Sequence, residues 1–491
     1  MMRRDILKTG AIAAALAACG KANRPSGPPD LEKLDAIGLA QAIGDKHISA
    51  AEAIEAAGRR IEDAARLGAF AAVDINRALE RAKSVDPKAP LAGVPYAMKD
   101  LDNYPVYPFE RGSALFKGAK GDGTVPYTDK IDAAGVVVLG KTATPEFGLL
   151  PTTEPLAYRA TVNPWNTEHS SGGSSGGAAA AVAARILPIA HASDGGGSIR
   201  VPASCCGVFG LKPSRGRFPD QGLLSRSLEL SIKHAVSLSV RDNALMLALT
   251  EREDGPLESV GFVKPDGVRR LKIAMSLNSP AGVAPDPEVA GAVSAAGKFL
   301  EGLGCDVAPV ETTPLQKTGA QDAFGLLWGE GAQAIYGLAE QMTGEKPEKT
   351  GVLEPWTMAL AERFRAAGPA ALQAAMLILN ELIEEVAAWF KTYDAWLTPV
   401  LAGPPPKLGV LRGDVPFETL SNRCNAYVAY TPIHNVAGTP AVSIPFAWTK
   451  DGLPIGVQLS AGLGKEATLL RLAYAFEEAH PWADKRPPIA A

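Results

Sequence analysis

Histidine is scarce in this chain, six residues in 491, and no His-Glu-x-x-His spacing occurs. Paired imidazole ligands of the kind that hold catalytic zinc are therefore missing. The five cysteines, Cys19, Cys205, Cys206, Cys305 and Cys424, fall in no metal-ligand spacing, and adjacent Cys205 and Cys206 cannot pair without strain. Buried free thiols are expected, with no metal and no cofactor. Neither sign of charge dominates: 49 basic residues stand against 53 acidic ones, a net of −4, with no basic stripe to suggest nucleic acid. The expected partner is a small molecule, and oligomeric state is left open. Flexible linkers are also missing. The chain exceeds the usual single-core size of about 250–300 residues, yet no Gly/Ser-rich or charge-rich segment divides it. Its composition, 46% hydrophobic and 21% charged, suits a packed globular enzyme.

Long apolar runs are scarce as well. Gly10 to Ala18 is nine residues, short of the about 20 that a membrane span needs. Arg3-Arg4-Asp5-Ile6-Leu7-Lys8 before it resembles a twin-arginine export signal, with Met2 in place of the usual small polar residue. Leu16-Ala17-Ala18-Cys19-Gly20 after it resembles a lipobox, which would make Cys19 a lipidated, mature N-terminus. An uncleaved hydrophobic N-terminus, or cleavage at an Ala-x-Ala site, is the alternative. Residues 1–19 are thus expected to export the protein to the periplasmic side of a membrane, with the twin-arginine route as the one the arginine pair suggests, 20–30 as a tether and 31–491 as one domain. The lipid would be the sole link to the membrane.

What the chain has in abundance is glycine around serine. Gly172-Gly173-Ser174-Ser175-Gly176-Gly177 leads into an alanine run, Ala178 to Ala184. This reads as a loop of close backbone approach opening a helix whose first N–H groups face an anion. Asp194-Gly195-Gly196-Gly197-Ser198-Ile199-Arg200 repeats the theme, with Ser198 placed 24 positions after Ser174. Upstream, Leu91 to Asp100 reads as a strand ending at Lys99, 75 positions before Ser174. A serine hydroxyl needs a base to become a nucleophile, and a lysine serves only when neutral. From an ordinary pKa near 10.4, burial must lower it by several units, and Val94, Pro95, Ala97 and Met98 beside Lys99 suit such burial.

Two glycine-framed serines and a lysine at these spacings resemble the amidase signature family. Further segments fit in order: Val137 to Thr142, Pro145-Glu146-Phe147-Gly148, Asn163-Pro164-Trp165-Asn166, Cys206 to Ser214, Asn435 to Ala441 and Gly452 to Gln458. The resemblance implies Ser198 as nucleophile, Ser174 as proton relay behind a cis Gly173–Ser174 bond, and Lys99 as base. It places the oxyanion donors among the N–H groups of Gly195, Gly196, Gly197 and Ser198. Gly195 stands where many members carry a bulkier residue, and the local form is similar to the branch of 6-aminohexanoate cyclic-dimer hydrolases and aryl acylamidases. Asp194 and Arg200 are expected to pair and hold the loop, Ser175 to orient the relay loop, and Asp100 to cap backbone N–H groups. His169 and His191 read as packing or surface residues.

The activity implied is hydrolysis of a carboxylic amide C–N bond, linear or cyclic, in a small molecule or short peptide. An inactive tethered binding lipoprotein on the same fold, or an amidotransferase-type subunit, stands as the alternative. A third reading takes Gly172 to Gly176 as a Gly-x-Ser-x-Gly elbow with Ser174 as nucleophile. It needs a strand just before it, where Asn163 to His169 reads as loop, and only His434 and His480 lie late enough to serve it.

The fold class expected is α/β. Residues 31 to 84 show apolar spacing of three and four, which predicts three helices, and from Pro90 onward β-rich runs such as Val136 to Leu139 and Ile186 to Ile189 alternate with helices. Asp286 to Leu303 predicts a helix, Asp306 to Val310 a strand, and Ala370 to Tyr393 a buried or lid-forming helix interrupted by Gln373, Asn380 and Glu381. Leu397 to Leu401 and Pro440 to Pro445 predict further strands. By resemblance the whole is a single α/β/α layered domain around a large mixed twisted sheet. The substrate pockets are expected from Leu101 to Thr128, Ala320 to Tyr336 and Asn422 to Val436.

Overall fold

The computed structural model describes residues 31–218, 227–268, 270–312 and 315–490. The export signal with Cys19 and the tether lie outside the described residues. Three helices open the described chain, Ala36–Gly44, Ala50–Asp63 and Ile75–Ala82, as the apolar spacing predicts. Each is started by a side chain that satisfies an orphan N–H: Asp35 accepts from Gly38, Ser49 and Glu52 form a reciprocal box, and Asp74 accepts from Arg77. Between the last two lies a strand that the helical pattern hid, β1 (Phe70–Val73).

β1 belongs to a three-stranded sheet. It pairs antiparallel with β3 (Val137–Thr142), which pairs in parallel with β2 (Pro95–Lys99), the strand that ends on Lys99. A short hairpin follows, β4 (Val162–Asn163) and β5 (Asn166–Ser170). Composition had made this segment a loop, but the Asn163 side chain ties it down: its amide donates to the carbonyls of Ser170 and Cys205 at 3.0 and 2.8 Å.

The large sheet holds β6 (Ile189–Asp194), β7 (Phe209–Lys212), β8 (Ile232–Ser237), β9 (Lys272–Met275), β10 (Asp306–Pro309), β11 (Ala395–Pro399), β12 (Ala441–Trp448) and β13 (Pro454–Ser460). Their order across the sheet is β10-β9-β11-β13-β12-β7-β8-β6. The β9 pairings with β10 and β11 are parallel and the other five antiparallel, so the sheet is mixed as expected. Both faces are covered. Along β6, Ile189 joins one core, with residues of the helices Val240–Thr250, Pro287–Gly302 and Glu466–Ala479, while Ala190 and Ala192 join another. Such alternation is what a strand buried on both sides presents.

The second core is built on the helix Gly176–Ala183, all eight of whose residues are buried. An all-small helix lets its backbone lie close to the sheet, which carries the loop ahead of it inward. The edge of the small sheet, β2, lies alongside β6 at the edge of the large one. The catalytic candidates converge at that seam.

Over the C-terminal side stands a helical hairpin, Ala320–Thr343 and Pro355–Thr392. The second helix starts well ahead of the Ala370 that the sequence indicated. Gly368, at φ 74°, and Pro369 kink it, so its apolar pattern reads as broken. Its length and composition would allow a membrane crossing. One face of it, Ala375, Leu379, Leu382, Val386 and Trp389, is buried in a cluster with Ala323, Leu327 and Trp396, while most of its apolar window is not.

Candidate active site

Lys99 is fully buried at the end of β2. Its Nζ donates to Ser174 Oγ at 2.7 Å and to Ser193 Oγ at 3.1 Å, with the Ser193 carbonyl at 3.5 Å. Burial strips water from the ammonium and lowers its pKa from 10.5 to about 7, against the opposing pull of Asp102 and Asp194. A large share of the molecules thus holds a neutral amine at neutral pH, poised against the Ser174 hydroxyl.

Ser174 follows a cis Gly173–Ser174 peptide bond, as the resemblance implied. Gly173 cannot carry a side chain here, since a Cβ would meet the Thr152 backbone at 2.4–2.7 Å. Ser175 fixes the loop: its Oγ donates to the Ser193 carbonyl at 3.2 Å and accepts from the Ser193 N–H at 3.3 Å. The Ser175 N–H in turn donates to the Ser198 carbonyl at 3.3 Å. The two glycine-serine loops therefore touch directly, and Ser193, which the sequence reading passed over, joins Lys99 to both.

Asp194 closes β6 and organises the Ser198 loop. Its carboxylate takes a two-pronged grip from Arg200, Nε to Oδ2 and Nη2 to Oδ1, both at 3.0 Å, and accepts the Ile199 N–H at 3.1 Å. Burial alone would raise its pKa, but Arg200, Lys212 and the Asn435 amide hold it well below the usual carboxylate range. Arg200 also reaches the Thr431 carbonyl, Gln458 and Asn435 at 3.0, 2.9 and 2.7 Å, and no polar atom of its guanidinium is wasted. Asn435 and Gln458 stand in the two late segments that the motif match had marked; their role as anchors of this loop was not legible from one sequence.

One oxyanion candidate is otherwise engaged. The Gly197 N–H donates to Asp194 Oδ1 at 2.7 Å, because the chain must turn back over the carboxylate to bring Arg200 onto it. Gly197 has φ 135°, and a Cβ there would meet Thr431 Oγ1 at 2.3 Å, so its task is the turn. Gly195, Gly196 and Ser198 remain as candidate donors, and Gly196 and Ser198 line the cavity. The Asp100 carboxylate accepts backbone N–H groups of Glu110, Arg111 and Gly112, the capping role expected.

The cavity beside Ser198 opens to solvent, and the atom-free space in it and at its mouth is about 740 Å³. Its walls are mainly apolar: Leu149, Leu150, Phe324, Trp328, Trp356 and Leu360. Both indole N–H groups donate to one acceptor, the Leu149 carbonyl, at 3.1 Å from Trp328 and 3.2 Å from Trp356. The polar edges of the two rings are thus consumed within the wall. Of the expected pocket segments, the two C-terminal ones contribute, whereas Leu101 to Thr128 does not; its place is taken by Gly148–Pro151 and by Trp356, Leu360 and Arg363. The four described cysteines are buried and free, as anticipated. Cys424 lines the cavity, but burial pushes its thiol up to about 12, which removes its thiolate at neutral pH.

The elbow reading loses on partners. A strand, β5, does precede Ser174, contrary to expectation. But the group on Ser174 is Lys99, while His434 is buried against Thr439 and His480 packs on Phe299 and Phe446.

The family model described as Amidase matches residues 52–470. The chain belongs to the amidase family. This amidase is 37% identical over 466 residues to a putative amidase, AmiC, of Mycobacterium leprae, an alignment that covers 93% of this chain and 97% of the relative. It is 32% identical to the 6-aminohexanoate-cyclic-dimer hydrolase of Paenarthrobacter ureafaciens, over 83% of this chain and 87% of that one. Among solved structures, a 6-aminohexanoate cyclic dimer hydrolase superposes with a TM-score of 0.86 at 30% identity, covering 94% of this chain and 99% of its own. A bacterial aryl acylamidase of the amidase signature enzymes superposes at 0.81 with 25% identity, over 93% and 99%. The amidase is an enzyme that hydrolyses amides, on the α/β amidase signature fold.

Proposed function

We propose that this amidase works through an acyl-enzyme on Ser198, with Ser174 as relay and Lys99 as base, on amides of apolar carboxylic acids. The observation that carries the reading is the 2.7 Å contact between a buried, near-neutral lysine and Ser174, in a loop bonded to that of Ser198. Ser198 Oγ attacks the amide carbon while its proton passes to Ser174 and the Ser174 proton to Lys99. The N–H groups of Gly196 and Ser198, with Gly195, bind the oxyanion. The C–N bond then breaks and the proton returns along the same path to the leaving amine. Water, giving up a proton to the relay, cleaves the ester and frees the acid and Ser198.

The wall of Trp328, Trp356 and Leu150 offers contact without polar recognition, which suits an aliphatic or aromatic acyl group. Beside Phe324 lies a second, solvent-open hollow of about 1260 Å³ counting its mouth, which shares Gln321, Phe324 and Asn425 with the first. Room of that size admits an elongated or cyclic amide, in keeping with the names of the relatives. Labelling the purified protein with a fluorophosphonate probe and mapping the adduct by peptide mass tests the nucleophile. The adduct is expected on Ser198, with labelling that rises between pH 6 and 8 as Lys99 loses its proton; an adduct on Ser174, or a rate that falls over that range, would overturn the reading.

We also propose that residues 1–19 export the enzyme and that Cys19 carries the lipid that holds it at the membrane. The apolar run ending directly on cysteine, followed by the tether, supports this. The N-terminal peptide from the membrane fraction is expected to have the mass of acylated Cys19. Protein that retains Met1 and washes free of membranes would count against it.

A further inference from the structure

Lys99 lies where two sheet edges meet without a shared hydrogen-bond ladder, β2 on one side and β6 on the other. An edge N–H needs a partner. That of Lys99 donates to the ring of His191, from β6, at 3.3 Å to Nδ1. Burial pushes His191 down to about 3, so the ring is neutral and able to accept. With Nδ1 accepting, the ring proton is on Nε2, which faces Asp102 Oδ2 at 3.6 Å.

Asp102, three residues beyond Lys99, is the centre of a buried charge cluster. Lys233 from β8 bonds its Oδ1 at 2.8 Å, and Lys141 from β3 donates to its carbonyl. Lys141 also lies 3.8 Å from the Asp100 carboxylate. Burial alone would raise Asp102, but Lys233 and Lys141 outweigh it and leave its pKa at about 2, so it is ionised throughout the working range. The charges that act on Lys99 are those of Asp102 and of Asp194, the latter already gripped by Arg200. Tyr96, on β2 itself, is buried and stays neutral, its phenol pushed up by burial and by Asp102.

We propose that Asp102 and His191 are the positioning pair of Lys99: His191 fixes its main chain at the seam between the sheets, and Asp102 supplies the preset negative charge that stabilises its ammonium form while it holds the proton taken from Ser174. The inference rests on Lys99 being the base. A lysine buried among apolar groups alone would be neutral but too weak to accept the proton of Ser174; a fixed carboxylate, already paid for by Lys233, restores basicity without solvent.

The test is the pH dependence of fluorophosphonate labelling of Ser198 in the full-length protein. In Asp102→Asn the rising limb is expected to move to lower pH by about one unit, with the plateau rate reduced about tenfold as the base weakens. A merely structural role would slow labelling and leave the limb in place. His191→Leu is expected to slow labelling at every pH, and His191→Gln, whose side-chain oxygen can accept the Lys99 N–H, to restore most of the rate. If Asp102→Asn does not fold, Asp102→Asn with Lys233→Met leaves no buried charge of that pair unmatched and is expected to shift the limb in the same direction but by less, since losing the Lys233 charge partly offsets it. A folded variant with an unmoved limb overturns the role of Asp102, and equal rates for the two His191 variants overturn that of His191. Lys99→Ala separates the two readings. Labelling as fast as wild type would refute the base itself, whereas slow labelling beside an unmoved Asp102→Asn limb refutes only the positioning pair.

Discussion

Alanine at Ser198 is expected to lower kcat on any amide the enzyme accepts by about 10⁴–10⁶, the range seen when the nucleophile of a serine hydrolase is removed. The fold should tolerate it. Asp194, Arg200, Thr431 and Asn435 hold the Ser198 loop, and Ser198 joins that framework through its carbonyl, which accepts the Ser175 N–H. The melting temperature should therefore stay within a few degrees of wild type. A residual rate above water is still expected, since the oxyanion donors are main-chain groups that alanine retains. Assays of the folded variant with an amide found by screening decide the matter: a kcat within tenfold of wild type would show that the acyl group never resides on Ser198.

The loops that carry Ser174 and Ser198 were legible because glycine is there for geometric reasons that leave a trace in sequence. Gly173 is pressed on Thr152 and Gly197 turns at positive φ, and neither place accepts a side chain. The strand ending at Lys99 was legible for a similar reason, as a short apolar run stopped by a polar residue, whereas the run Ile186 to Ile189 misplaced its strand, which begins only at Ile189 and runs through the polar residues His191 and Ser193 to Asp194. What escaped was whatever depends on long-range placement. β1 looks helical because Phe70 to Val73 alternates half-buried and exposed positions over only four residues. Trp356 was missed as a wall of the cavity because Gly368 and Pro369 break the helix pattern that would have linked it to the hairpin. His191 gave no signal at all: a lone histidine in an apolar strand reads as packing, and its bond to the Lys99 main chain exists only because two sheets meet there. Gly197 was misread in the opposite sense, since three glycines before a nucleophile suggest three donors, while one of them is spent on Asp194.

Methionine at Lys99 is expected to abolish activity and, at pH 6, to stabilise the protein. The ordinary pKa of 10.5 falls to about 7 in the folded state, chiefly through burial. Above about pH 10.5 the amine is neutral in both states and burial of the charge costs nothing. Between about 7 and 10.5 the unfolded chain holds a proton that the folded one has lost, so stability rises with pH across that window. Below 7 both states are protonated and the full cost of the buried ammonium is present, up to about 5 kcal/mol. Methionine has a similar length and no charge to bury. It forfeits the bonds to Ser174 and Ser193, about 1 kcal/mol each, so a net gain of about 3 kcal/mol is expected at pH 6. Denaturant unfolding of both proteins at pH 6 and at pH 10.5 checks it, with the gain vanishing or reversing at the higher pH. A loss of about 2 kcal/mol at pH 6, that of the two bonds alone, would mean that the wild-type amine is solvated and keeps its ordinary pKa, and then it could not serve as base at neutral pH. The two effects have one origin: the burial that makes the ammonium costly to fold is what makes the amine available to take a proton, so a chain optimised for stability at this position would lose its reaction.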